Sequence, residues 1–208
     1  MTGTKWGAGA IAVLASVGLS QAMTVRPVNL DQMVHEADRV IVGRVLAAED
    51  TFDQKRLPIT VYRIRVEDAI KGEVGTTLEI RQLGHRSKQP NPETGRIFHI
   101  PGMPLYAPGE SVLLLLNQDS RLGLTSPVGM MQGSFRLTKD KGGRELALNG
   151  VGNRGLLSGM EPGGAARGAG WDPSEFQRLV RDGGAIERGA LVALIRSMVD
   201  EGRPANDR

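Results

Sequence analysis

The sequence predicts a mainly β fold: a small antiparallel barrel with a short N-terminal helix and a C-terminal helical arm. Three observations favour this class. Segments with strand-like patterns recur at close spacing, Pro and Gly residues separate them, and helical periodicity is confined to the two ends. The chain has 208 residues, with 28 Gly, 11 Pro and no Cys. This length suits one main domain with accessory elements.

Residues 1–22 have the pattern of a secretory signal peptide. Lys5 precedes the apolar run Ala8–Leu19, and Ser20 and Ala22 place small residues before a cleavage site. The run is too short for a membrane span, which needs about 20 apolar residues. We therefore expect an exported protein of the periplasm or the extracellular medium, with no transmembrane anchor after cleavage.

Residues 23–148 are predicted to form the β-barrel domain with its leading helix. Asn29 is a suitable N-cap for a helix over 30–37, where apolar residues recur at helical spacing. A strand rich in β-branched residues follows at 39–47, and Gly43 within it predicts a bulge or a bend. After a polar loop at 49–56, residues 60–70 alternate between apolar and charged side chains, which predicts one buried and one exposed face.

The second half of this domain is predicted from the same signals. Residues 76–83 alternate again, and the polar segment 84–95 predicts an exposed loop. The unbroken apolar run Val112–Leu116 predicts a strand that is buried on both faces. Shorter strands are expected at 96–100, 122–128, 134–138 and 145–148, the last two joined as a hairpin.

The C-terminal region is predicted to be a linker followed by helices. Residues 149–170 contain eight glycines, which indicates a glycine-rich linker. Asp172, Pro173 and Glu175 form a helix-start signal, and a second helix is expected over 186–200. Residues 171–201 are therefore assigned to C-terminal helices, and 202–208 to a frayed tail.

Composition excludes several classes of function. The absence of Cys excludes disulfide frameworks, thiolate zinc sites and Cys nucleophiles. Lys and Arg number 26 against 23 Asp and Glu, and they are interleaved with the acids, so a nucleic acid is not an expected partner. The chain carries neither the nucleophile-elbow pattern nor the phosphate-loop pattern. We assign no catalytic residue, no metal and no cofactor.

Three groups of residues are the binding candidates. The first is basic: Arg63 and Arg65 on one strand, then Arg81, Arg86 and Lys88 on and after the next, which suits an anionic polymer. The second is the histidine pair His85 and His99, which the intervening loop can bring together. The third is the Pro-bounded loop 101–108, in which Met103 and Tyr106 form an apolar tip for a protein partner.

Several stretches also carry a family resemblance. They are Ala37–Val45 (ADRVIVGRV), Tyr62–Gly72 (YRIRVEDAIKG), Ile100–Pro104 (IPGMP) with Pro108–Glu110, and Gly129–Phe135 (GMMQGSF). They resemble a family of secreted bacterial proteins of uncharacterised function. The resemblance covers residues 30–140 and the stretch 152–156, and it implies export but no activity.

The order of strands is also similar to the OB-like barrel of netrin modules and metalloproteinase inhibitors. That similarity implies an OB-like barrel fold. Those modules act through an N-terminal cysteine, which this chain lacks, so that inhibitory mechanism is not implied. Some members of the bacterial family look associated with matrixin-like zinc proteases, but this chain has no His-Glu-x-x-His motif.

The expected function is an exported, non-enzymatic binding module for a secreted or envelope protein or an anionic polymer. Two alternatives stay open. One is a metal-dependent or histidine-based hydrolase that uses His85 and His99. The other is a protease-associated or inhibitory module without the cysteine-based mechanism.

Overall fold

The computed structural model describes residues 27–161 and 171–202, which form three helices and seven strands. The helices are α1 (Leu30–Glu36), α2 (Pro173–Asp182) and α3 (Arg188–Glu201). The strands are β1 (Arg39–Phe52), β2 (Pro58–Lys71), β3 (Thr77–Leu83), β4 (Ser111–Leu116), β5 (Ser134–Lys139), β6 (Glu145–Asn149) and β7 (Ile186–Glu187). No helix in these ranges is long and apolar enough to cross a membrane.

All seven strands belong to one antiparallel sheet, in the order β3-β2-β1-β4-β5-β6-β7. The prediction of a mainly β, antiparallel fold is confirmed. The sheet is not closed into a barrel within the described residues, because β3 and β7 lie at opposite edges. With two residues, β7 is too short to pair along β3, and it passes directly into α3. A backbone hydrogen bond from Thr125 N to Arg81 O, 2.9 Å long, links the segment after β4 to β3.

The sheet separates two apolar cores, and β4 contributes to both. Leu113 and Leu115 pack in the core that the three helices cover. Val112, Leu114 and Leu116 pack in a second core on the opposite face, formed with β1, β2 and β3. All five side chains are 0% exposed. The predicted two-sided burial of this run is confirmed.

Strand β1 is longer and more irregular than its sequence pattern suggests. It continues to Phe52, through the first half of the segment predicted as a loop, because residues 47–52 pair with β2. Its register shifts at three places, one of them between Val42 and Gly43. The predicted strands at 96–100 and 122–128 are not formed as ladders. In the second of these segments, Pro127 makes an isolated bridge to Leu116.

The C-terminal helices pack on the same sheet rather than extending from it as an arm. Strand β7 pairs with β6, and Phe176, Leu191 and Leu194 are buried in the core that also holds α1. These contacts make the C-terminal region part of the same folded unit as the predicted barrel domain, 23–148.

The described part of the predicted linker 149–170, residues 149–161, is folded. Leu156 and Leu157 are buried in the helix-covered core, and Leu156 O accepts a hydrogen bond from Leu30 N at 2.7 Å. Asn153 Nδ2 lies 3.0 Å from Ala147 O and 2.8 Å from Gly184 O, so its amide joins three parts of the chain. Glycines at positive φ form tight turns here, which explains their density without a flexible linker.

Two predicted segments cannot be compared with the structure. The predicted signal peptide, residues 1–22, lies outside the described residues. The predicted tail, 202–208, also lies outside them beyond Gly202.

Gly43→Ala is expected to destabilise the protein by about 1–3 kcal/mol. A Cβ atom at this position would lie 2.5 Å from the carbonyl oxygen of Arg65 and 2.8 Å from a side-chain carbon of Ile64. Urea denaturation measures the change in unfolding free energy. Gly75→Ala is the matched control, because its Cβ would have no contact closer than 3.8 Å. Equal stability of the two variants would contradict close packing at Gly43.

Candidate functional site

Three aromatic rings contact one another at the turn end of the β1–β2 hairpin. Phe52 lies at the end of β1, while His85 and Phe98 belong to the long connection between β3 and β4. The ring centroids are 5.0 Å apart for Phe52 and His85, 5.4 Å for Phe52 and Phe98, and 5.2 Å for His85 and Phe98. All three pairs are edge-to-face, the arrangement that aromatic quadrupoles favour. The rings therefore hold one another in place although Phe52 is exposed.

Backbone contacts fix the two segments that carry these rings. Gly84 N donates to Pro58 O at 2.8 Å, and His85 N donates to Phe98 O at 3.0 Å. Gly84 has a φ of +92°, and a Cβ atom there would lie 2.9 Å from the carbonyl oxygen of Phe98. Glycine is therefore required where the connection leaves β3 and crosses close to the residues before β4.

The turn of the hairpin is held by Asp53. Its Oδ1 accepts hydrogen bonds from Lys55 N at 2.8 Å and from Leu57 N at 2.7 Å. Arg56 then adopts a φ of 61°, a left-handed conformation that glycine and asparagine usually occupy. The turn thus presents two exposed cations, Lys55 and Arg56, next to the ring cluster.

A buried polar row lies beneath this end of the hairpin. Asp50, Thr60 and Gln82 are paired across β1, β2 and β3. Thr60 Oγ1 lies 2.9 Å from Asp50 Oδ1, and Gln82 Nε2 donates to Pro104 O at 2.8 Å. Gln82 Oε1 is buried and has no hydrogen-bond partner among the described residues. The row attaches the long connection to the inner face of the hairpin.

Asp50 also pairs with Arg86 of the long connection. Its Oδ1 lies 3.1 Å from both Arg86 N and Arg86 Nε. Partial burial works to raise the pKa of Asp50, but hydrogen bonds from Arg86 and Thr60, together with the guanidinium charge, outweigh it. The pKa is therefore held below its ordinary value of 3.8. Asp50 is an anion at neutral pH and neutralises Arg86.

The remaining cations at this end have no such partner. Within the described residues, no carboxylate lies within ion-pairing distance of Lys55, Arg56, Lys88 or Arg96. All four are exposed, and each lies within four positions of one of the three rings. We call this surface the hairpin-end patch. It consists of Phe52, His85, Ile97 and Phe98 with Lys55, Arg56, Lys88 and Arg96.

The two predicted histidines, His85 and His99, lie on neighbouring backbone segments, but their side chains have different surroundings. His85 Nε2 lies 2.9 Å from Thr51 O, and its ring packs between Phe52 and Phe98. His99 is half-buried, and its Nδ1 has no hydrogen-bond partner among the described residues. Those residues contain no group of three or more His, Asp or Glu side chains that could hold a metal ion.

The predicted arginines do not share one surface. Arg86 lies in the polar row at the hairpin end, whereas Arg63 and Arg65 alternate with the buried Tyr62 and Ile64 and so lie on the outer face. Glu79 is directly opposite Arg63 in the register with β3. This pairing places an acidic residue in the predicted basic face.

Arg81 is also separated from Arg86, because the alternation of side chains along β3 places it on the outer face. It precedes the buried Gln82 on β3 and therefore lies on the outer face, while its carbonyl oxygen accepts the hydrogen bond from Thr125. Side chains of a strand alternate between faces, so neighbours in sequence need not share a surface.

Tyr106 is part of the second core and not an exposed loop tip. It is 3% exposed, its hydroxyl lies 2.8 Å from Ser134 Oγ, and its ring meets that of Tyr62 edge-to-face at 4.9 Å. Burial raises the pKa of both tyrosines, that of Tyr62 to about 12. Met103 is half-buried. A depression of about 220 Å³ next to this loop is lined by Leu105, Met131 and Leu148 among others.

Sequence patterns predicted His85 as a binding candidate but missed the two phenylalanines of the hairpin-end patch. Phe52 lies in a segment that was predicted as a polar loop, and Phe98 in a predicted short strand. One signal was available: Phe52 is the one apolar residue in the polar stretch 49–56, and Ile97 and Phe98 come after the polar stretch 84–95.

No family model matches the chain, and neither the curated proteins nor the solved structures contain a match. The resemblance stated from the sequence motifs therefore remains an expectation.

Asp50→Asn is expected to lower the unfolding free energy by about 1–3 kcal/mol at neutral pH, since a partly buried charged hydrogen-bond acceptor is lost. The stabilisation by Asp50 is complete above pH 3.8 and is lost as the pH falls through its lower, folded-state pKa. The difference from the wild type should therefore shrink below pH 3.8. Urea denaturation over a pH series measures it, with the exposed Glu49→Gln as control. A difference that does not change with pH would contradict this account.

Proposed function

We propose that the protein is an exported, non-enzymatic binding module and that the hairpin-end patch binds an anionic component of the cell envelope. The observation that carries the proposal is a fixed cluster of three rings on two segments that also carry four exposed cations without an ion-pair partner among the described residues. Residues 1–22 support export through their signal-peptide pattern.

The charge arrangement favours an anion over a neutral ligand. Of the acids near the rings, Asp50 is neutralised by Arg86, and the Asp53 carboxylate accepts hydrogen bonds from the turn's own backbone. Glu49 and Glu93 are exposed, so this end carries four carboxylates against five cations, Arg86 included. An approaching anion therefore meets a locally positive field, which raises the rate of association at low ionic strength.

The patch is also built for contact rather than for a reaction. Its rings and its turn are held by backbone hydrogen bonds and edge-to-face packing, so little ordering is needed on binding. The motifs of the chain consist mainly of glycine, proline and core residues, which specify a shape. The hydrolase and the protease-inhibitory alternatives stay predictions.

Binding to a fluorescent dextran sulfate, with neutral dextran as reference, tests the proposal. Lys88→Ser combined with Arg96→Ser should weaken binding about tenfold, because each exposed cation contributes up to about 1 kcal/mol. Binding by the wild type should also weaken as salt is added.

The matched control is Arg63→Ser combined with Arg65→Ser, which removes the same charge from the outer face. It should retain most of the affinity. Equal losses in the two double variants would show that net charge, and not this patch, governs binding. Failure of the wild type to bind the sulfated polymer would contradict the proposal.

A further inference from the structure

We propose that the ligand of the hairpin-end patch is an anionic lipid surface, with Phe52 and Ile97 entering the bilayer interface. This inference rests on the proposed function and deepens it by naming the ligand. Lys55, Arg56, Lys88 and Arg96 contact the lipid phosphates around the two apolar side chains.

The exposed apolar side chains distinguish a bilayer from a soluble polyanion. Ile97 is 58% exposed and Phe52 is 45% exposed, and these are the two highest values among the large exposed apolar residues described. Both lie at the same end of the molecule, because Ile97 precedes Phe98, whose ring contacts that of Phe52. A hydrophilic polymer leaves such side chains in water, whereas the interface of a bilayer removes them from it.

Phe52 cannot avoid water by folding back onto the protein. His85 and Phe98 meet its ring edge-to-face at 5.0 Å and 5.4 Å, which fixes its orientation while part of its surface stays exposed. The exposure is therefore built into the hairpin end. A rigid apolar side chain that is already exposed enters an interface with little ordering.

The cations flank the apolar side chains along two segments of the chain. Lys55 and Arg56 come from the hairpin turn, and Lys88 and Arg96 come from the connection between β3 and β4. Hydrogen bonds from Gly84 to Pro58 and from His85 to Phe98 hold these segments together. Basic residues next to interfacial apolar groups bind anionic headgroups, and their contributions add.

Arg56 has an unusual position within this arrangement. It occupies the left-handed conformation at the hairpin turn, where glycine is free of steric conflict. The Asp53 carboxylate accepts hydrogen bonds from the backbone of Lys55 and Leu57, and the exposed charged side chains of the turn are the two cations. This geometry suits a surface of phosphate groups.

Sedimentation of the exported form, which begins at residue 23, with lipid vesicles tests the inference. We expect binding to vesicles of phosphatidylcholine with phosphatidylglycerol and weak binding to phosphatidylcholine alone. Ile97→Ser, and Phe52→Ser with Ile97→Ser, should lower partitioning, the double variant by about tenfold or more. Their affinity for dextran sulfate should fall less than their partitioning, because a sulfated polymer contacts mainly the cations of the patch.

Leu122→Ser with Leu148→Ser is the matched control, since both side chains are 41% exposed outside the patch. It should partition like the wild type. Every preparation lacks residues 1–22, because their apolar run would itself bind vesicles. The single Ile97→Ser variant leaves the three rings intact, which separates loss of insertion from loss of folding.

The outcomes separate this inference from the proposed function. Binding to dextran sulfate without binding to phosphatidylglycerol vesicles overturns the lipid surface and leaves the proposed function standing. Vesicle binding that the Phe52 and Ile97 variants do not weaken also overturns the inference, because charge alone then explains it. Binding to neither probe overturns both proposals.

Discussion

Burial of β4 on both faces is the constraint on which the rest of the structure depends. Leu113 and Leu115 face the helices, whereas Val112, Leu114 and Leu116 face the opposite core, and none of these side chains reaches water. A strand of this kind is stable only if each face of the sheet is covered. The helices cover one face. The other face is covered by the bulged β1–β2 hairpin and by the connection before β4.

The connection between β3 and β4 covers the second core, and its course determines where the hairpin-end patch forms. Tyr106 closes that core by packing against Tyr62 and bonding to Ser134. The 27 residues from 84 to 110 must therefore travel from the edge strand β3 across the hairpin to β4. In doing so they bring His85 and Phe98 beside Phe52. The binding surface that we propose is thus a consequence of how the connection covers the core.

Three sets of cations in the described residues differ in their electrostatic surroundings. Arg86 is used internally, because Asp50 holds it against the polar row under the hairpin. Arg63 and Arg65 lie on an outer face that also carries Glu79. The cations of the hairpin-end patch have no carboxylate partner within 27–161 and 171–202, and they lie on the segments that carry the exposed apolar side chains. This combination, rather than the small net charge of +3, gives the molecule a surface with a distinct chemistry.

The sequence by itself determined the antiparallel strands, the two-sided burial of Val112–Leu116 and the bulge near Gly43, because local periodicity and backbone preference are properties of short segments. Asn29 and Asp172 also cap their helices as expected. Only the tertiary structure decided that 149–161 packs into the core, that Tyr106 is buried and that Arg81 and Arg86 lie on different sides. It alone brought Phe52, His85 and Phe98 together. Such contacts join residues far apart in the chain, and their geometry depends on register shifts and on the course of a long connection, which local patterns do not encode.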